Sequence, residues 1–192
     1  MSTTISSPYV VDSIWEKSKS STYVQIASLT LLTIISAQVV IPLPFTPVPL
    51  TMQTFAILFG AAALGPYKSA TAQLIYLLIA AIGFPVLASD KGGVEAIFGA
   101  TAGYLLAFLV ASFVVGLLAK QLSTRKFFNV FVGFSLGTIL IYLFGATWLG
   151  FYTGNGIAFG ISKGVLPFII GDILKALLAA SLLPVTWKLI KK

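Results

Sequence analysis

Apolar residues run along this chain in six long stretches, parted by short breaks rich in proline, glycine or charge. The stretches cover residues 23–41, 50–64, 67–84, 99–122, 127–152 and 165–190. A helix needs about 20 apolar residues to cross the hydrocarbon core of a bilayer, and on that measure each stretch reads as a membrane helix. The second is short, and "LGPYK" (64–68) joins it to the third through a glycine and a proline that favour a sharp reversal. The expected fold is an all-α integral membrane protein, a six-transmembrane-helix bundle over residues 23–192 preceded by a segment of residues 1–22. That segment carries no apolar core of signal-peptide type. Within it, "PYVVDSIWEKSKS" (8–20) reads either as a short interfacial helix with Val11, Ile14 and Trp15 toward lipid or as a frayed end.

Composition sharpens this picture. The chain is 58% hydrophobic and 9% charged, against about 25% charged in a soluble domain. Too few charges are present to wet the surface of an apolar core. The sequence has no cysteine and no histidine, which removes disulfides, thiolate metal sites and the usual proton shuttle. The five acids are scattered, so no metal site and no cofactor are expected. The net charge of +7 comes from basic residues that flank apolar runs. It is a topology signal and not a nucleic-acid footprint.

If the helices alternate, Lys17, Lys19, Lys68, Lys120, Arg125, Lys126, Lys188, Lys191 and Lys192 all fall on one side. Lys91 and Lys163 fall on the other, and Lys175 lies within a span. Lysine and arginine concentrate on the cytoplasmic face, so both termini are expected in the cytoplasm and the protein in the cell membrane. Small residues four apart, Gly99/Gly103 and Gly133/Gly137, are expected to let helix backbones approach closely. No internal repeat of the kind that builds inverted-topology transporters is evident.

The candidate chemistry begins with "GDILKALL" (171–178). Asp172 and Lys175 are three apart and share one helix face. Each costs about 3 kcal/mol at the centre of a span on insertion scales. Placed roughly 10 Å inside the outer end of a helix beginning near 165, they form either an ion pair that fixes packing or a site reachable from outside. A carboxylate beside an ammonium suits a ligand with an N–H beside a C=O. Trp148, Tyr152 and Asn155 follow the spacing of one helical face, provided the fifth helix extends that far. They suit a small heterocycle, although an interfacial aromatic belt and a turn explain them equally well.

Two loops join the same end. "IPLPFTPVPLTMQTF" (41–55) is stiff and uncharged, because each proline fixes φ and removes a donor. Through Pro42, Pro44, Phe45, Thr46, Pro47 and Pro49 it reads as a lid over a pocket or as a rigid connector. Gln53 just beyond it offers an amide. In "SDKGGVEAIFGATAGY" (89–104), Gly92 and Gly93 permit backbone N–H groups to converge on a carboxylate.

The segments "IPLPFTPVPLTMQTF", "FGATAGYLLAF" and "PFIIGDILKALLA" together resemble the BioY family, the biotin-specific substrate-binding S components of energy-coupling factor (ECF) transporters. The second segment departs from the family pattern, with Ala100 and Ala102 where Pro and Gly are frequent. The resemblance implies a six-helix bundle that captures biotin as a transported substrate, not as a prosthetic group. It matches Asp172 and Lys175 to the family's functional acid and base. It also implies a membrane-coupling subunit and two ATP-binding subunits as partners. This chain has no G-x-x-x-x-G-K-[ST] phosphate loop of its own. Docking of the family's members through small residues on the first helix maps here onto Ala27, Ser28, Thr33 and Ala37, without a literal Ala-x-x-x-Ala. The expected function is outside capture and inward delivery of biotin. The alternative is a self-sufficient secondary or equilibrative transporter of a small heterocyclic carboxylate. No constellation of an enzyme is seen.

Overall fold

A computed structural model describes residues 8–14 and 19–190. Six helices of 12 to 26 residues dominate it: α1 (Lys19–Gln38), α2 (Gln53–Leu64), α3 (Pro66–Ala81), α5 (Ala102–Leu122), α6 (Phe127–Tyr152) and α8 (Ile169–Ile190). Between them lie two short helices, α4 (Val94–Ile97) and α7 (Gly156–Gly164), in regions expected to be loops. Three stretches are long and apolar enough to cross a membrane by length and composition, Ala102–Leu122, Phe127–Tyr152 and Gly156–Leu189. Large apolar side chains such as Leu31, Leu78, Ile139, Leu143, Ile170 and Leu174 are exposed around the bundle. Contiguous apolar surface on this scale belongs against lipid, not water.

The proline-rich loop is closed by a two-residue antiparallel ladder, β1 (Val40–Ile41) with β2 (Leu50–Thr51), in the register Val40↔Thr51 and Ile41↔Leu50. The ladder stops there because Pro42 and Pro49 follow on its two strands and have no N–H to continue it. At the far end of α2, Gly65 at φ +86° turns the chain into Pro66, the first residue of α3. This is the reversal expected from "LGPYK".

Helix α5 packs against α2, α3 and α6, while α8 packs on α6 and α2 and α1 lies against α2 and α3. Small residues make these contacts tight. A Cβ at Gly137 would collide with Leu58 and Val115, and one at Gly103 would meet the Phe144 carbonyl and Trp148. The other member of each expected pair does not serve this purpose. Gly133 has nothing nearby, and Gly99 sits in the α4–α5 turn beside its own chain.

Of the stretch 8–20, read either as an interfacial helix or as a frayed end, residues 8–14 before α1 are described and are packed against the bundle. Val11–Ser13 forms a single 3-10 turn, Val10 is buried, and Val11 packs against the core. Ile14 is exposed, and Trp15 lies outside the described residues. Tyr9 covers Gly65, where a Cβ would meet its ring. Asp12 pairs with Lys68 Nζ at 2.6 Å, and the same ammonium donates to Gln25 Oε1 at 2.8 Å. Burial, then the neighbouring Asp12 carboxylate, pushes the Tyr9 phenol above its usual range. The described part of the segment, residues 8–14, thus straps the α2–α3 turn.

Candidate functional site

A cavity of about 200 Å³ opens where the proline-rich loop, the 87–91 segment, the neighbouring ends of α2, α5 and α8 and the middle of α6 converge. Its polar wall is built on the first turn and a half of α8. The chain enters α8 through a 3-10 turn at Leu166–Phe168, in which Pro167 needs no N–H partner. The helix proper therefore starts at Ile169, later than expected, and Asp172 falls in its first turn. That lies about 5 Å along the axis from the helix start, not the deeper position expected. A carboxylate at this end also gains from the helix dipole.

Asp172 and Lys175 are 5% and 7% exposed, and Lys175 Nζ lies 2.7 Å from Asp172 Oδ1. Two further residues complete the cluster. Thr54 Oγ1 donates to Asp172 Oδ1 at 3.1 Å and accepts from Lys175 Nζ at 2.8 Å. Tyr142 donates its hydroxyl to Asp172 Oδ2 at 2.6 Å, a length typical of a bond to a charged oxygen. Three helices, α2, α6 and α8, thereby meet at one carboxylate. The pair is a cross-linked part of the cavity wall, and the burial that would be costly for either charge alone is offset by mutual pairing and hydroxyl contacts.

Gln53 lines the cavity as expected. Its Nε2 donates to Tyr76 at 2.8 Å, and Oε1 accepts from Thr51 at 3.3 Å. Tyr76 in turn donates to the Val86 carbonyl at 3.2 Å. Gln53 therefore ties α2 and α3 to the 84–87 segment as well as facing the cavity. Of the proline-rich loop, Pro42, Thr46, Pro47 and Pro49 line the cavity. Pro44 and Phe45 point away and are exposed. Thr46 Oγ1 donates to the Lys163 carbonyl on α7 at 2.8 Å, and Lys163 Nζ lies 5.7 Å from the Phe45 ring. The loop is latched at its tip.

Several expected residues lie elsewhere. Helix α6 ends at Tyr152, and Gly154 and Gly156 at φ +70° and +77° carry the chain away. Asn155 is thus off the helical face its spacing suggested, and exposed. Tyr152 is 53% exposed, stacked on Trp148 at 6.5 Å. Trp148 donates Nε1 to the Gly99 carbonyl at 2.9 Å, pinning the α4–α5 turn. None of the three lines the cavity. Nor does Gly93: its N–H donates to the Ala80 carbonyl at 2.7 Å, so it is not free to receive a carboxylate. On α1, Ala27 and Ser28 are exposed, but Thr33 and Ala37 are fully buried. Thr33 accepts from Gln73 of α3 at 3.2 Å and donates to Leu29 at 2.9 Å. Thr33 and Ala37 face the bundle and are unavailable to an outside partner.

Sequence reasoning missed Thr54, Tyr142, Tyr104, Phe108, Phe168 and Lys91 as cavity residues. Thr54 follows Gln53 directly, and Phe168 lies in the "PFIIGDILKALLA" segment just ahead of the acid–base pair. Tyr142 is one of several hydroxyls in the 26-residue α6, with Ser135, Thr138, Thr147 and Tyr152, and nothing in the sequence singles it out. Lys91 was counted as an outer-side charge but not as a wall of the site.

Residues 11–192 match the BioY family. A probable biotin transporter BioY from Pyrococcus horikoshii is 37% identical over 151 residues, covering 79% of this chain and 86% of that protein. The biotin transporter BioY of Thermotoga maritima is 37% identical over 140 residues, 73% of this chain and 81% of that one. A crystal structure of the S component for biotin from an ECF-type ABC transporter superposes with a TM-score of 0.82. It is 30% identical and the match covers 91% of this chain and 94% of that one. With a buried acid–base pair beside a proline-rich loop, and with this match along nearly its whole length, the chain belongs to the BioY family.

Proposed function

We propose that this protein is a membrane subunit that captures biotin from outside the cell and delivers it inward as the S component of an ECF-type transporter. The observation that carries this reading is the bonding capacity left over in the Asp172 cluster. A carboxylate has about four lone-pair sites and an ammonium three N–H donors. Three of the former are taken by Lys175, Thr54 and Tyr142, and two of the latter by Asp172 and Thr54. One acceptor and one donor remain side by side. The ureido ring of biotin presents an N–H beside a C=O, which is the complement.

The rest of the cavity supports the same pose. Tyr104, Phe108 and Phe168 provide apolar wall for the thiophane ring. Lys91, in place of the Gly92–Gly93 turn, supplies a cation for the valerate carboxylate. The latched proline-rich loop acts as the lid.

In this reading six helices cross the membrane, both termini are cytoplasmic, and the cavity opens outward, as the nine cations on the opposite side require. Energy comes from a separate membrane-coupling subunit and two ATP-binding subunits, and the protein itself is a transport subunit and not an enzyme. The exposed Ala27 and Ser28 on α1 are the surviving part of the docking face.

Calorimetric titration of the purified chain with biotin and with its amide-linked conjugate biocytin tests the assignment. Tight binding of biotin and weaker binding of biocytin is expected, because the conjugate has lost the carboxylate that meets Lys91. Absence of biotin binding by folded protein overturns the substrate. Concentrative, proton-sensitive uptake by the reconstituted chain alone would favour a self-sufficient transporter instead.

A further inference from the structure

Tyr142 sits on α6, two helices away in sequence from the motif that carries Asp172, yet its hydroxyl reaches Asp172 Oδ2 at 2.6 Å. Asp172 is the one acid among the described residues that line the cavity. It is faced by Lys175 on its own helix, Thr54 from α2 and Tyr142 from α6, with Tyr104 of α5 and Lys91 on the same cavity wall. The two hydroxyls differ in what they do to the cluster. Thr54 donates to Asp172 and accepts from Lys175. It therefore consumes one acceptor and one donor together and leaves their balance unchanged. Tyr142 consumes an acceptor site alone.

We propose that Tyr142 is a positioning residue that sets ligand selectivity by occupying one lone pair of Asp172 Oδ2. The cluster then has one acceptor beside one donor to offer, and it selects a ligand edge of one N–H and one C=O. Without the phenol, a second acceptor site would open on the carboxylate. The same wall would then favour an edge made of N–H groups alone, such as a cyclic guanidinium. The phenol also holds the carboxylate plane between α6 and α8, so that the free site faces the cavity. This inference rests on the biotin reading for its ligand.

The test compares Tyr142→Phe with the parent chain for biotin and for iminobiotin, whose ring C=O is replaced by a protonated imine. The variant removes a single oxygen and keeps the ring. Biotin affinity is expected to fall by about tenfold or more, the worth of one hydrogen bond to a charged group, while iminobiotin falls much less or gains. The ratio of the two affinities therefore shifts toward iminobiotin by at least about tenfold. Thr54→Val, which frees an acceptor and a donor together, leaves the ratio near the parent's. Equal loss of both ligands in Tyr142→Phe would overturn the proposal, since a purely structural role moves both alike.

A second readout needs no ligand. In the infrared spectrum, the carboxylate stretch assigned by its disappearance in Asp172→Asn shifts in Tyr142→Phe and stays in place in Tyr152→Phe, whose hydroxyl lies outside the cavity. An unmoved band in Tyr142→Phe overturns the contact itself. If the parent binds neither ligand, the biotin reading fails, and the infrared band still decides the role of Tyr142.

Discussion

The site depends on four side chains that are each nearly saturated by the others, so single substitutions act in different ways. Asp172→Asn keeps the size but adds donors where Thr54 and Tyr142 already donate and the ligand needs an acceptor. Biotin affinity is expected to fall by about 10- to 100-fold, measured by titration calorimetry, with the helical circular dichroism unchanged. Lys175→Met differs, because it leaves a buried carboxylate unpaired. Breaking a buried pair in this way costs about 3–5 kcal/mol, so thermal stability should drop along with binding. Lys91 is exposed at the cavity, and neither ion pair among the described residues, Asp12–Lys68 or Asp172–Lys175, involves it. Lys91→Met should therefore weaken biotin by about tenfold at low salt, leave biocytin almost unaffected, and spare the melting temperature.

At the scale of elements, the hairpin between α1 and α2 is a rigid flap with two fixed points. Its base is the Val40–Thr51 and Ile41–Leu50 ladder, and its tip is held by Thr46 on the α7 carbonyl of Lys163. Proline at four of the eight positions from 42 to 49 leaves little entropy to regain on opening. Opening of the flap therefore turns on release of the tip contact. Thr46→Val should raise the biotin dissociation rate several-fold in stopped-flow measurements while changing the association rate less. An unchanged dissociation rate would show that the latch does not hold the lid. Helix packing is equally specific. Gly137 has no room for a side chain against Leu58 and Val115, so Gly137→Val is expected to lower stability by about 1–3 kcal/mol. Gly133→Ala, facing open space, should be tolerated in the same thermal assay.

Across the whole molecule, polar chemistry is divided between two ends. The cavity, the flap, Lys91 and Lys163 lie at one end. The Asp12–Lys68 strap and the Arg125 guanidinium 4.4 Å over the Trp187 ring lie toward the other. Single cysteines introduced into this cysteine-free chain test the division. Positions 91 and 163 should label from outside the cell, and positions 68 and 125 only after permeabilisation. Labelling of all four positions from the same side would overturn the proposed orientation.

The sequence by itself determined the membrane as the environment, since a chain with so few charges has no other stable surroundings. It also determined the helical segments and the acid–base pair, because a charge pair inside an apolar run has few explanations. What it left open was orientation about each helix axis. Nearly every face of these helices is apolar, so periodicity does not say which side meets lipid and which meets protein. The family resemblance put Thr33 and Ala37 on a docking face and they face inward, while Trp148 and Tyr152, readable as pocket wall or as interfacial belt, do not line the cavity. The end of α6 at Tyr152 removed Asn155 from their row. Tertiary packing alone brought Thr54 and Tyr142, 118 and 30 residues from Asp172, to the same carboxylate. Such contacts are chosen by how closely small residues let three helices approach, and that is a property of the assembled bundle.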